Sequence, residues 1–106
     1  MPKYLFQTNF TLDGVRGLLA KGGSARKASA QAAAKSLGGK VDSFYFGFGS
    51  TDVYVIADLP DNEAAAALAL AVAAGGGAAV TTTVLITPQE IDNAAEKTVK
   101  YTPPGG

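Results

Sequence analysis

The chain has 106 residues and no His, Cys or Trp, and its nine basic and nine acidic side chains leave no net charge. Without thiols or imidazoles, one chain cannot build a disulfide, a zinc site, an iron–sulfur cluster or a Ser–His or Cys–His nucleophile, so we expect neither a metal nor a cofactor. Charge neutrality also argues against nucleic acid and anionic membranes as partners.

Four strands and four helices are predicted along the chain. The strands, rich in aromatic or β-branched residues, cover residues 3–10, 40–48, 51–59 and 79–87. The helices, with apolar residues at helical spacing, cover residues 12–21, 24–37, 62–74 and 88–97. The first two helices are pieces of one helix that is interrupted at Gly22 and Gly23.

Several boundaries carry capping residues. Ser24 and Asp61 are predicted N-caps, and Thr87 forms a capping box with Glu90. Residues 98–106, rich in Pro and Gly, are predicted to form a tail behind a single domain of residues 1–97. Because no apolar run is long enough for a signal peptide or a membrane span, we expect a soluble, cytoplasmic protein.

The element order β-α-β-β-α-β-α predicts an α+β fold. Two βαβ-type crossovers that flank a hairpin form the split, ferredoxin-like arrangement, in which a four-stranded antiparallel sheet carries both main helices on one face. Twenty of the 106 residues are Ala, whose side chains bury little area, so the predicted core is thin. A thin core suggests that further copies of the chain complete it.

The hairpin turn at Gly49 and Ser50 predicts the register of its two strands. In this register three Phe residues of the first strand lie beneath the helices and pair with the second strand: Phe44 with Val55, Phe46 with Val53, and Phe48 with Thr51. We call the opposite side of the sheet the open face. The residues predicted to lie on it are Val41, Ser43, Tyr45, Gly47, Asp52, Tyr54, Ile56 and Asp58 of the hairpin, with Gln7, Asn9, Thr81 and Thr83 of the other strands.

A large amphipathic face of this kind is typical of an interaction surface. Two open faces packed together would close a barrel-like space between subunits, so we expect a homo-oligomer, a dimer or larger. The helix over 62–74 is apolar almost all round, which favours burial on more than one side. Residues 1–40 carry a net charge of +6 and residues 41–106 carry −6, which fits either solvated faces or a complementary contact between subunits.

Asp52 is the leading candidate for chemistry, because the predicted register places it on the open face near Tyr45 and Tyr54. A partly desolvated carboxylate among phenols can act as a general acid or base. The structural interpretation is that Asp52 binds backbone amides near the turn. A ligand in the inter-subunit space is predicted to contact Gln7, Asn9, Tyr45, Asp52, Tyr54, Thr81 and Thr83.

A second candidate site surrounds the break between the first two helices. Glycines, a helix N-terminus and cations in residues 21–27 resemble an anion cradle, so Lys21, Ser24 and Arg26 are candidate anion ligands. The segment lacks the Gly-Lys-Ser/Thr ending and the preceding strand of a Walker motif. A helix break with solvated cations explains the same residues.

Three short motifs occur in a specific order: Leu37-Gly38-Gly39-Lys40-Val41, a hairpin with Gly49 and Asp52, and a strand ending at Pro60-Asp61. With the opening strand and the Thr87 capping box, they make residues 3–97 resemble the GYD domain family, named for a Gly-Tyr-Asp signature. Thr51 replaces the signature Tyr, so a function of that phenol cannot be transferred to this chain. A function of the signature Asp can be transferred, because Asp52 is present. The resemblance implies a ferredoxin-like subunit of dimeric α/β-barrel type and no particular activity.

The sequence is compatible with three different functions. The first is an oligomeric protein that binds a small molecule in or near the inter-subunit sheet space, in a pocket that is mostly apolar with few polar groups. The second is a cofactor-independent enzyme in which Asp52 acts as acid or base beside Tyr45 or Tyr54. The third is a purely structural subunit that self-assembles.

Overall fold

The computed structural model describes all 106 residues, which form a mixed α+β fold around one open sheet. The strands are β1 (Lys3–Phe10), β2 (Lys40–Phe46), β3 (Val53–Asp58) and β4 (Ala78–Leu85). The helices are α1 (Leu12–Lys21), α2 (Gly23–Ser36), α3 (Asn62–Ala74) and α4 (Pro88–Ala95). The predicted number and order of elements are confirmed. None of the helices has the length and apolar character that a membrane crossing requires.

The sheet has the strand order β2-β3-β1-β4, and all neighbouring strands are antiparallel. Because side chains alternate along a strand, one side of the central pair β1 and β3 carries Tyr4, Phe6, Val53 and Val55, all of which are buried. On this side α2 packs against β2 and α3 packs against β4. Both main helices therefore cover one face, and the opposite face is open.

Two of the three predicted helix caps are confirmed. Ala64 N donates to the Asp61 side chain at 2.8 Å, and Thr87 forms its capping box with Glu90. The prediction for Ser24 is wrong, because Gly22 is the N-cap of α2 and Ser24 lies inside the helix. Gly22 has a φ of +88°, which glycine adopts without steric cost, so a single residue interrupts the helix.

The hairpin keeps the predicted register near its middle but has a longer loop. Phe44 pairs with Val55 and Phe46 with Val53, as predicted. The predicted pairing of Phe48 with Thr51 is wrong, because β2 ends at Phe46 and β3 begins at Val53. The Phe48 side chain is fully exposed.

A β-bulge between Val41 and Ser43 corrects a second prediction. The ladder pairs Val41 with Ala57 and then Ser43 with Ile56, so Asp42 is an extra residue on β2. Such an insertion turns the preceding side chain to the other face. Val41 therefore packs against the core beneath the helices and does not lie on the open face.

The core is as thin as the Ala content predicts. Only 10 of the 106 residues are buried, and Tyr4 and Leu59 are the largest fully buried side chains. In α3 only Ala65 is buried, and Leu70 is 72% exposed, so a single chain covers this helix on one side only. Residues 86–106, which include α4, are exposed throughout.

Candidate functional site

An apolar groove of about 410 Å³ lies between the sheet and the two helices that cover it. The central strands form its floor with Phe6, Thr8, Val53 and Val55. The two helices form its walls, with Ala30, Ala33 and Ala34 on α2 and Leu68, Ala71 and Val72 on α3.

The small side chains of α2 explain why the groove is not filled. This helix presents methyl groups at positions 30, 33 and 34, which share one helix face and point toward the sheet. Since α2 packs on the edge strand β2 and α3 on the edge strand β4, those short side chains leave space above β1 and β3. Protein interiors are normally packed with few voids larger than a water molecule, so a groove of this size is a distinct feature.

The groove changes from apolar to polar along its length. Phe6, Ala34 and Ala57 are buried where they line it, whereas Arg26 and Ser29 are exposed. Arg26 is the only charged residue among those lining the groove. It follows that the groove has an apolar interior and a mouth with one cation.

The open face gathers most of the residues predicted as ligand contacts. The register places Gln7 between Tyr54 and Thr81, and Tyr45 directly opposite Tyr54. Thr83 lies two residues after Thr81 on β4, opposite Leu5. The five predicted residues Gln7, Tyr45, Tyr54, Thr81 and Thr83 therefore share this face.

Asp52 does not join that set, and its predicted orientation is wrong. Phe10 N donates to Asp52 Oδ2 at 2.9 Å, and Asp52 lines a hollow on the helix side with Val15 and Leu18 of α1. Thr51 takes the opposite direction, since its buried hydroxyl lies 3.4 Å from Nε2 of Gln7. The predicted directions of Thr51 and Asp52 are thus exchanged.

The contacts of Asp52 join the end of the hairpin to β1. Its backbone N donates to Thr8 O and to Asn9 Oδ1, both at 3.0 Å, and its backbone O accepts from Gly47 N at 2.9 Å. The Asp52 carboxylate thus binds one backbone amide, that of Phe10 at the end of β1, which agrees with a structural role but differs from the predicted bonds to amides of the turn. Asn9, predicted as a ligand contact, is engaged in the same junction.

The three candidate anion ligands are separated by the helix break. Lys21 ends α1, whereas Ser24 and Arg26 belong to α2, and all three are exposed. Only Arg26 lines the groove. The structure therefore connects one of the three residues with a cavity.

An ion pair closes one corner of the open face. Lys3 Nζ donates to Asp58 Oδ1 at 2.8 Å and lies 3.7 Å from Asp42 Oδ2. The hydrogen bond to Asp58 raises the pKa of Lys3 above its ordinary value, and the same bond lowers the pKa of Asp58 below its ordinary value despite the burial of this carboxylate. Both groups are consequently charged at neutral pH.

The model of the GYD domain family matches residues 4–95, from β1 to the end of α4. The chain belongs to the GYD domain family. No curated protein and no solved structure matches it. In this GYD domain two motif residues have structural roles: Asp52 ties the hairpin to β1, and Gly39 packs so closely on the backbone O of Asp58 that a Cβ would collide with it.

Sequence reasoning missed the groove of this GYD domain. The spacing of Ala30, Ala33 and Ala34 places these residues on one face of α2. The signal for a groove is the small size of these residues opposite two central strands. Their spacing alone does not give the distance between helix and sheet.

Proposed function

We propose that this GYD domain is a homo-oligomeric protein that binds a small apolar molecule in the groove between α2, α3 and the sheet. The groove itself supports this function most directly, since 15 of its 21 lining residues are hydrophobic. Its volume of about 410 Å³ falls in the range of roughly 300–1,000 Å³ that is common for ligand pockets. The site is on the other side of the sheet from the inter-subunit space that the sequence suggests.

The open face supports assembly of two copies through their sheets. It carries Tyr45, which is 71% exposed, and Tyr54, which is 39% exposed, beside the half-buried Leu5, Ile56 and Leu85. The strand order β2-β3-β1-β4 is compatible with a ferredoxin-like subunit of dimeric-barrel type, which supports this part of the proposal. Lys3 and Asp58 already form an ion pair at one corner of the open face. A second subunit that covers this corner would therefore bury no unpaired charge from these two residues.

Two further surfaces support an assembly larger than the single chain. Leu70 on α3 is 72% exposed, and Ile91 on α4 is 53% exposed. Helix α4 has no buried residue, so a single chain leaves about half of the Ile91 side chain uncovered. A helix with an uncovered apolar side chain gains stability when a neighbouring subunit covers it.

Replacing Ala33 with Phe tests the binding site. The ring of Ala33→Phe would occupy the groove, so we expect octanol to bind about tenfold more weakly or not at all, measured by isothermal titration calorimetry. Ala32 is the matched control, since it is exposed on the same helix and does not line the groove. Ala32→Phe is expected to bind octanol like the original chain.

Two results would contradict the proposed function. One is equal octanol binding by Ala33→Phe and Ala32→Phe, which would place the site elsewhere. The other is that the original chain binds neither octanol nor octanoate, its carboxylate counterpart, which would favour the purely structural subunit. Thermal unfolding followed by circular dichroism checks that both variants are folded.

A further inference from the structure

We infer that the molecule bound in this groove is an apolar carboxylic acid in its ionised form, with the carboxylate held by Arg26 at the mouth. The inference rests on the proposed function and names the chemical class of the ligand. Its starting point is the position of the single cation that lines the groove, at the exposed end of an apolar cavity.

Arg26 belongs to the same face of α2 as the groove wall. Positions 29 and 30 follow position 26 by three and four residues, and position 33 follows them by four and three, which brings the four side chains together on one side of a helix. The wall therefore runs from Arg26, through the hydroxyl of Ser29, to the methyl groups of Ala30 and Ala33. A ligand lying along this wall meets polar groups at one end only.

The charge of Arg26 is not neutralised by the protein. No carboxylate lies within salt-bridge distance of it, since the ion pairs of the chain are those of Lys3 with Asp42 and Asp58. The first turn of α2 also contains no acidic residue. An anionic ligand would supply the missing counter-charge.

The geometry of a guanidinium favours a carboxylate among anions of similar size. Arg presents parallel N–H donors that match the two oxygens of a carboxylate, and such charge-assisted pairs are stronger than neutral hydrogen bonds. The hydroxyl of Ser29 provides one more donor nearby. The apolar tail of the same molecule would then lie over Phe6 and Val55 and between the alanines of α2 and Leu68 of α3.

A comparison of octanoate with octanol tests the inference, since the two probes differ at one end. We expect Arg26→Gln to weaken octanoate binding about threefold to fivefold, as for an exposed ion pair, and to weaken octanol binding by a smaller factor, because octanol carries no charge for the guanidinium to pair with. Lys27 is the matched control because it is the adjacent exposed cation and does not line the groove. Lys27→Gln is expected to bind both probes like the original chain.

The outcomes separate the ligand class from the site. If the original chain binds octanol but Arg26→Gln does not weaken octanoate, or Lys27→Gln weakens it equally, the carboxylate inference is wrong and the groove remains a binding site. If the original chain binds neither probe, the proposed function itself fails. A selective loss of octanoate in Arg26→Gln, which shrinks at high salt, supports both.

Discussion

Replacing Tyr54 with Glu is expected to separate the proposed dimer into single chains. Tyr54 lies on the open face beside Tyr45 and Gln7 and is 39% exposed in one chain, so a charge there is tolerated by the monomer. In a dimer closed through this face, both copies would bury an unpaired carboxylate. The desolvation penalty of several kcal/mol per charge corresponds to an increase in the dissociation constant on the order of a thousandfold or more.

Sedimentation-velocity ultracentrifugation measures this change, and Leu19 provides the control. Leu19 is 81% exposed on α1, away from the sheet, so Leu19→Glu introduces the same charge on another apolar position. We expect Leu19→Glu to sediment as the original chain does. An original chain that sediments as a monomer at micromolar concentration, or a Tyr54→Glu chain that stays dimeric, contradicts assembly through the open face.

Replacing Asp52 with Ala is expected to lower the free energy of unfolding by about 1–3 kcal/mol. The backbone N of Phe10 would lose the carboxylate oxygen that it contacts at 2.9 Å, at a half-buried position where the hairpin meets β1. Asp52→Asn is the matched variant, because its amide oxygen can still accept this hydrogen bond. We expect Asp52→Asn to lose less than about 1 kcal/mol in urea unfolding.

The same pair of variants addresses the hypothesis that Asp52 is an acid or base. Asp52→Asn removes the titratable group while keeping the junction with β1 intact. Turnover of a candidate substrate that persists in Asp52→Asn would exclude this role of the carboxylate. Equal stability of the original chain and Asp52→Ala would contradict the structural role.

Most of the fold was predictable because its signals are local. Asp61 and Thr87 start their helices through side-chain bonds to residues three positions later, and such bonds depend on neighbouring sequence only. Side chains alternate between the two faces along β1 and β3, so a register that places Phe44 and Phe46 beneath the helices also predicts which side chains of β3 are buried. Register within the hairpin followed from the same alternation around its turn.

The errors lie where tertiary contacts override the local pattern. The bulge at Asp42 turns Val41 toward the core. The sequence of β2 contains no signal that predicts this bulge. At the other end, Asp52 N bonds to Thr8 O, whereas the register of Thr8 with Val53 would continue by pairing Asn9 with Asp52. The ladder therefore becomes irregular at Asp52, and simple alternation assigns the wrong directions to Thr51 and Asp52.

The candidate site was less predictable than the fold, because a cavity forms only where the side chains are too small for the space between the helix and the sheet. The sequence indicates that Ala30 and Ala33 face the sheet, but the spacing of helix and sheet decides whether a methyl group closes the gap. Arg26 was recognised as a candidate anion ligand for its place beside a helix break. Its connection with an apolar groove appears only when α2 is placed over the sheet.

Intermolecular nuclear Overhauser contacts between octanol and methyl-labelled protein locate the bound molecule most directly. Methyl groups of Val55, Leu68 and Val72 line the groove, whereas those of Leu5, Ile56 and Leu85 belong to strand positions of the open face. Binding in the groove predicts contacts to the first group and none to the second. Contacts to Leu5, Ile56 and Leu85 alone would contradict binding in the groove. They would indicate that octanol binds between the open faces of two subunits.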